Sequence, residues 1–303
     1  MLNRNKFPSF LLFSACFIII YFLFDRKIII LKKSSSTRAE YLQDCLNLYK
    51  KLRNPDKKNI FRPPLREPPK ELYDEFTDNG NFPITSLRYF NNAYSDSASN
   101  SSSSKLISSS QFYMLLQNVI QNKALGYKDT LLNKVMHEFK KNIEKKSMAV
   151  IGTVLPWVEA IAYHLGSSKV SSFDYTRKRY NISRLEWWHV NDFLDSSISN
   201  NKLETFDNAA SFSSIEHAGL GRFGDPLSPY GDVEAVQQVH CMLKPGGLFF
   251  LGLPGSKDGS SFLVFNAHRI YGKSRLKLLF KNWKLIREYK GGHNIFVLQK
   301  HYY

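Results

Sequence analysis

The chain has 303 residues, 43% of them apolar, and a formal net charge of +16; that length and apolar share exclude a disordered chain and admit one large domain or two small ones. Its three cysteines, Cys16, Cys45 and Cys241, make no CxxC pair and have no histidine cluster beside them, which argues against structural zinc and against a disulfide framework. The basic residues are spread through 123–146 and 269–290 at spacings of solvated helix faces, so no specific nucleic-acid partner is expected, while attraction to anionic lipid head groups suits the same charge.

In chain order, residues 7–24 (FPSFLLFSACFIIIYFLF) are almost uninterruptedly apolar and reach the length that spans a bilayer core. We read residues 1–33 as a retained single-pass membrane anchor. The leader charges Arg4 and Lys6 would also suit a signal peptide, but the apolar run is long for one and no small-x-small cleavage site comes after it. Arg26, Lys27, Lys32 and Lys33 balance the leader charges, so the side of the membrane taken by the rest of the chain stays open. Two glycosylation sequons, at Asn100 and Asn181, would be usable only on the lumenal side.

Residues 34–110 read as a stem. A helical spacing covers 41–52, FRPPLREPPKELYDEF is proline-rich and extended, and SDSASNSSSSKLISSS is a serine tract without apolar area to bury. Phe76, Phe82, Ile84, Leu87, Tyr89 and Phe90 suggest that the later part of this stem docks on the C-terminal domain. Cys45 and Cys241 can pair only if the stem folds back in that way; otherwise Cys241 is a small core residue on a helix.

From residue 111 helices and strands alternate. Amphipathic helices at 111–121 and 129–143 precede a strand at 148–152, a helix at 156–164, and strands at 170–174, 186–190 and 206–212. A helix at 232–243, a strand at 248–253, a helix at 267–280 and a closing hairpin at 284–299 complete the reading. This βα alternation predicts a doubly wound α/β domain over 111–303, its sheet mostly parallel with an antiparallel last strand.

Two segments carry the functional signal: FDNAASFSSIEHAGLGRFGDPL, where a buried strand delivers Glu216 and His217 to its C-terminal end, and LKPGGLFFLGLP, where a helix stops at Pro-Gly-Gly before a continuous apolar strand. They resemble the class I S-adenosylmethionine-dependent methyltransferases, with their FD…EH fourth strand and LKPGG before the fifth. The resemblance covers roughly the C-terminal half. More narrowly, the EHAGLGRFGDPL loop resembles a nematode-expanded family of uncharacterised proteins, a domain of unknown function.

That resemblance implies a Rossmann-like methyltransferase fold and S-adenosylmethionine as cofactor. Asp174, ending the second strand about 20 residues after Gly152, takes the position of a ribose carboxylate, and Asp192 that of a carboxylate near the adenine. Gly152 and Thr153 lie in the donor loop, with Glu159 a candidate ammonium acceptor, although Val154 and Pro156 stand where the family has further glycines. His217 is the candidate proton acceptor with Glu216 orienting it; Arg222 and Asp225 lie on a glycine-rich lid facing an unknown small or membrane-proximal acceptor. No metal site is expected. The implied activity is methyl transfer by a membrane-anchored protein; the alternatives are a catalytically inactive binding module and a Golgi-type glycosyltransferase, the latter lacking a DxD at a strand end.

Overall fold

A computed structural model describes residues 37–56, 59–61, 63–92, 105–175 and 178–301, all within one unit, Leu31–Tyr303. The apolar segment at 7–24 and the serine tract at 95–104 lie outside these residues; among the described ones no helix is long and apolar enough to cross a membrane.

The first helix, α1 (Arg38–Arg53), opens on a capping box in which Glu40 N donates to Thr37 Oγ1 and Thr37 N to Glu40 Oε2. It buries Tyr41, Cys45, Leu48 and Tyr49, a stripe at helical spacing. Next come β1 (Ile84–Leu87), β2 (Lys105–Ile107), α2 (Ser109–Ile120), α3 (Leu131–Glu138), β3 (Ser147–Ile151), α4 (Trp157–His164), β4 (Lys169–Asp174), β5 (Lys178–Tyr180) and β6 (Leu185–His189). After these come α5 (Val190–Asn200), β7 (Phe206–Phe212), α6 (Gly231–Met242), β8 (Leu243–Leu253), β9 (Phe262–Phe265), β10 (His268–Ile270), α7 (Lys273–Leu279), β11 (Trp283–Tyr289) and β12 (Asn294–Lys300).

Seven strands form the main sheet in the order β11-β12-β8-β7-β3-β4-β6. Pairing is parallel from β8 to β6, and β12 runs antiparallel to both of its neighbours. Ranked along the chain, the order is 3-2-1-4-5-7-6, with the antiparallel last strand that was expected and a reversal of strand order between the parallel neighbours β3 and β7 that opens a crevice at the strand ends. Burial on both faces is written into β8: Leu248 and Phe250 enter one core, Phe249, Leu251 and Leu253 the other, as period-two geometry requires. Helices α1, α5, α6 and α7 cover the second core, and α2, α3 and α4 the first.

Two sequence expectations change. The span 267–280 is not one helix: His268–Ile270 pairs with β9, and only Lys273–Leu279 is helical, because Arg269 is drawn into the interior. A helix, α5, also occupies the interval after β6, its inward residues Phe193, Leu194 and Ser197 keeping helical spacing.

The segment read as stem is part of the packing. Phe76 and Phe82 form a third cluster with Leu220, Leu227, Leu263 and Phe265, and β1 pairs with β9. At the other end α1 lies on α5 and α6, held by Lys51–Glu234 at 2.6 Å and Arg53–Asp195 at 2.7 Å. Cys45 and Cys241, both fully buried, form a disulfide between α1 and α6. The fold-back needed for that pairing therefore occurs.

Candidate cofactor and transfer site

The site lies where β3, β4 and β7 end. Gly152 comes directly after β3 with φ +65°, and its N–H donates to the Phe173 carbonyl at 2.9 Å, which sets Asp174 beside it. A side chain at Gly152 would meet Ser214 Oγ at 1.9 Å, so glycine is required both for its backbone conformation and for the close approach of the loop after β7. The structure thus brings Gly152, Thr153 and Asp174 together and sets them against the segment that carries Glu216.

Between Thr153 and Asp174 sits a residue the sequence did not single out. The ammonium of Lys178, on β5, pairs with Asp174 Oδ2 at 2.7 Å and also donates to the Thr153 carbonyl. Its side chain is only 2% exposed and that of Asp174 15%. Thr153 Oγ1 donates to the Leu155 carbonyl, while Val154 and Leu155 themselves are exposed. Glu159, on α4, points into the interior: Ser172 Oγ donates to its Oε1 at 2.6 Å, burial raises its pKa, and Oε2 has no partner. Asp192 is exposed in the first turn of α5, where its charge complements the helix N-terminus.

Glu216 and His217 lie on one turn, Ile215–His217, directly after β7. Ser213 Oγ donates to Glu216 Oε1 at 2.7 Å, and Glu216 Oε2 is buried without a hydrogen bond. Burial pushes the Glu216 pKa up to about 7, against the pull of the Ser213 bond. His217 Nδ1 lies 2.6 Å from the Ala267 carbonyl; a carbonyl can only accept, so Nδ1 carries the proton and Nε2 presents its lone pair. Nε2 stands 3.7 Å from Glu216 Oε1. Burial holds the His217 pKa down to about 4, outweighing the Ala267 bond. Near neutral pH Glu216 is therefore the more responsive of the two, and His217 a fixed neutral imidazole.

These shifts have a sign. Glu216 is raised in the fold, so its contribution to stability is complete below its ordinary pKa of 4.5 and lost as pH rises to about 7, a change on the order of 3 kcal/mol. His217 is lowered, so its contribution is complete above pH 6.5 and lost as pH falls through about 4. Urea midpoints at a series of pH values for the native chain and Glu216→Gln should diverge between pH 4.5 and 7, with the native chain losing ground as pH rises. Parallel profiles would mean that Glu216 is ionised throughout.

The loop expected to act as a lid is pinned. Asp225 accepts the N–H groups of Gly219 at 2.7 Å, Gly221 at 3.2 Å and Phe223 at 3.1 Å, so it closes the loop on itself. A side chain at Gly219 would lie 2.3 Å from the Ser228 carbonyl; this glycine serves close approach. Arg222 is laid over Phe90 and Phe223, and its Nε donates to Asn92 Oδ1 at 3.0 Å. Beneath the loop, fully buried Arg269 donates to the carbonyls of Ala218, Ser228 and Pro229, while Arg275 pairs with buried Asp232 at 2.5 Å. Asp225 and Arg222 both take part in holding the loop's shape.

Comparison with known proteins gives one family and a set of folds. Residues 145–299, just over half of the chain, match the family described as Caenorhabditis protein of unknown function, DUF268. No curated protein matches the chain. Among solved structures it is similar to 1,6-didemethyltoxoflavin-N1-methyltransferase of Burkholderia thailandensis: 12% identity, TM-score 0.42, 65% of this chain and 92% of that one. It is also similar to the N-methyltransferase NodS of Bradyrhizobium japonicum: 12% identity, TM-score 0.37, 61% of this chain and 98% of that one. A third is an S-adenosylmethionine-dependent methyltransferase of Mesorhizobium loti: 11% identity, TM-score 0.38, 55% of this chain and 96% of that one.

Proposed function

The chain belongs to the Caenorhabditis protein family of unknown function DUF268, and from that premise we propose that it is an S-adenosylmethionine-dependent methyltransferase acting on a small-molecule acceptor, tethered to a membrane by its apolar segment at 7–24. One juxtaposition carries this reading: the Thr153 carbonyl and the Asp174 carboxylate converge, beside Gly152, on the ammonium of Lys178. S-Adenosylmethionine asks for two kinds of acceptor, one for its ammonium and one for its ribose hydroxyls. The lysine ammonium is a stand-in cation for the first. The residues present fit the group, with Thr153 and Asp174 holding it once Lys178 turns away.

When bound, the cofactor supplies an electrophilic methyl group on a sulfonium. The chain's own part is alignment and proton handling. Glu216, with a buried free oxygen and a pKa about 7, takes the proton of a hydroxyl or amine acceptor. His217 keeps its orientation through Ala267, with Nε2 3.7 Å from the other Glu216 oxygen, Oε1.

The same lysine favours a second reading, in which the protein's own cation permanently fills the site and the chain is an inactive binding module. Calorimetry with S-adenosylmethionine and S-adenosylhomocysteine on the full chain separates the two. Asp174→Ala is expected to weaken binding by about 10–100-fold, the worth of a charge-assisted hydrogen bond. Lys178→Met is expected to tighten it, because binding no longer has to displace a competing conformer. Absence of binding to both the native chain and Lys178→Met would overturn the methyltransferase reading.

A further inference from the structure

A disulfide and a loop in separate parts of the chain point to one compartment. Cys45 and Cys241 are joined between α1 and α6 with both residues fully buried. Disulfides of this structural kind form and persist in oxidising environments and are rare where glutathione keeps thiols reduced. Making it removes two electrons and two protons from two thiols, which the dithiol–disulfide oxidoreductases of such a compartment accept as they are reduced.

The second observation is independent of the first. Asn181-Ile182-Ser183 is an N-glycosylation sequon in the short connection between β5 and β6, outside any strand or helix, with Asn181 and Ser183 both exposed. The Asn181 backbone carbonyl accepts from Ser109 Oγ at 3.1 Å, which fixes the peptide at that point without drawing on the side-chain amide. The 7–24 segment supplies the sequence character of a chain delivered to the secretory membranes.

We propose that the domain folds on the non-cytosolic side of the secretory membranes and that Asn181 there carries an N-linked glycan. In the step itself the Asn181 Nδ2 attacks the anomeric carbon of an oligosaccharide carried on a polyprenyl diphosphate. The carbon–nitrogen bond forms, the bond from that carbon to the diphosphate oxygen breaks, the amide loses one proton, and the lipid diphosphate leaves. This proposal is independent of methyl transfer, since it uses no residue of the transfer site.

The test expresses the full chain, with its N-terminal segment intact, in a eukaryotic cell with a secretory pathway. Peptide-N-glycosidase treatment in oxygen-18 water is expected to label position 181, and Asn181→Gln is expected to remove one glycan increment from the electrophoretic mobility. Ser183→Ala should remove the same increment and Ser183→Thr should keep it, which separates modification from a folding defect because the asparagine is untouched in both. Asn100→Gln reports any glycan at the other sequon separately. Thiol alkylation in denaturant without reductant should leave Cys45 and Cys241 unlabelled. An unmodified Asn181 in the membrane fraction, or Cys45 and Cys241 recovered as free thiols, would overturn the proposal.

Discussion

Asp232→Ala is expected to lower the unfolding free energy by about 3–5 kcal/mol, the cost of leaving buried charge without its partner. Asp232 is fully buried at the start of α6. It accepts from Arg275 Nη2 at 2.5 Å, Arg275 Nε at 3.0 Å and the Tyr271 hydroxyl at 3.1 Å, with Arg269 Nε 3.6 Å away. Burial alone would raise its pKa, but Arg269 and Arg275 outweigh it and hold the carboxyl below the usual range. Alanine would strand two guanidiniums in the interior. Their remaining contacts to carbonyls satisfy hydrogen bonds and supply no full counter-charge. The aspartate also favours the α6 N-terminus, a smaller effect of about 0.3–1 kcal/mol. Because Arg269 holds the carbonyls of Ala218, Ser228 and Pro229, the loss should loosen the loop behind Glu216 first. Urea unfolding followed by tryptophan fluorescence checks this, and a change below about 1 kcal/mol would mean that water reaches the cluster.

Removing both cysteines, as Cys45→Ala with Cys241→Ala, is expected to cost about 2–5 kcal/mol. The disulfide spans a sequence separation of 196, so it restricts the unfolded chain strongly; loop-closure entropy grows only with the logarithm of loop length, and the gain at this separation is already near its ceiling. What it secures in the folded state is α1, whose other ties include the ion pairs Lys51–Glu234, Arg53–Asp195 and Arg38–Glu204 and the Tyr41 bond to His240 Nδ1 at 2.8 Å. Exposed ion pairs add at most about 1 kcal/mol each. Reduction of the native chain should lower the urea midpoint as far as the double replacement does, and more slowly than it would for an exposed disulfide, since both sulfurs are sealed from solvent. A midpoint unchanged by reduction would show that the α1 packing suffices without the bond.

Elements that depend on local pattern were legible from the sequence. The apolar run at 248–253 is buried on both faces, so an unbroken hydrophobic string identifies it, while the strand at 206–212 is marked by Phe206 and Phe212 with small residues between them. The glycine bend between β11 and β12 announced the hairpin. Helix α5 was not legible, because VNDFLDSSISN is rich in residues that prefer caps and turns, and its helicity comes from packing Phe193 against Phe173 and Phe206. Within 267–280 the charged side chains suggested a solvated helix face; Arg269 is instead fully buried, which no periodicity can register.

At the site, the positions at strand ends were legible and their neighbours were not. Gly152, Asp174, Glu216 and His217 are located by where strands stop. Lys178 reaches Asp174 because β5 begins four residues after β4 ends, and that short interval has no apolar signature. The glycines of GLGRFGDP read as freedom of movement; in the fold Gly219 is needed for contact, and Asp225 fastens the loop through three backbone amides. Composition reveals that a loop can bend, whereas only the surroundings reveal whether it is held.

The first and last described elements meet on one carboxylate. Glu204, in the turn before β7, accepts from Arg38 Nη2 of α1 at 2.7 Å and from Lys300 Nζ of β12 at 3.0 Å, while the same ammonium donates to the Leu243 carbonyl at 2.7 Å. Burial lowers the Lys300 pKa to about 8, with Glu204 pulling the other way. The described part of the fold, from α1 to β12, is therefore a nearly closed circuit. A circular permutant of residues 37–301, its ends bridged near Glu204 and reopened at the exposed Gly291–Gly292 bend, would keep every strand neighbour of the main sheet while changing the order in which the ribosome delivers them.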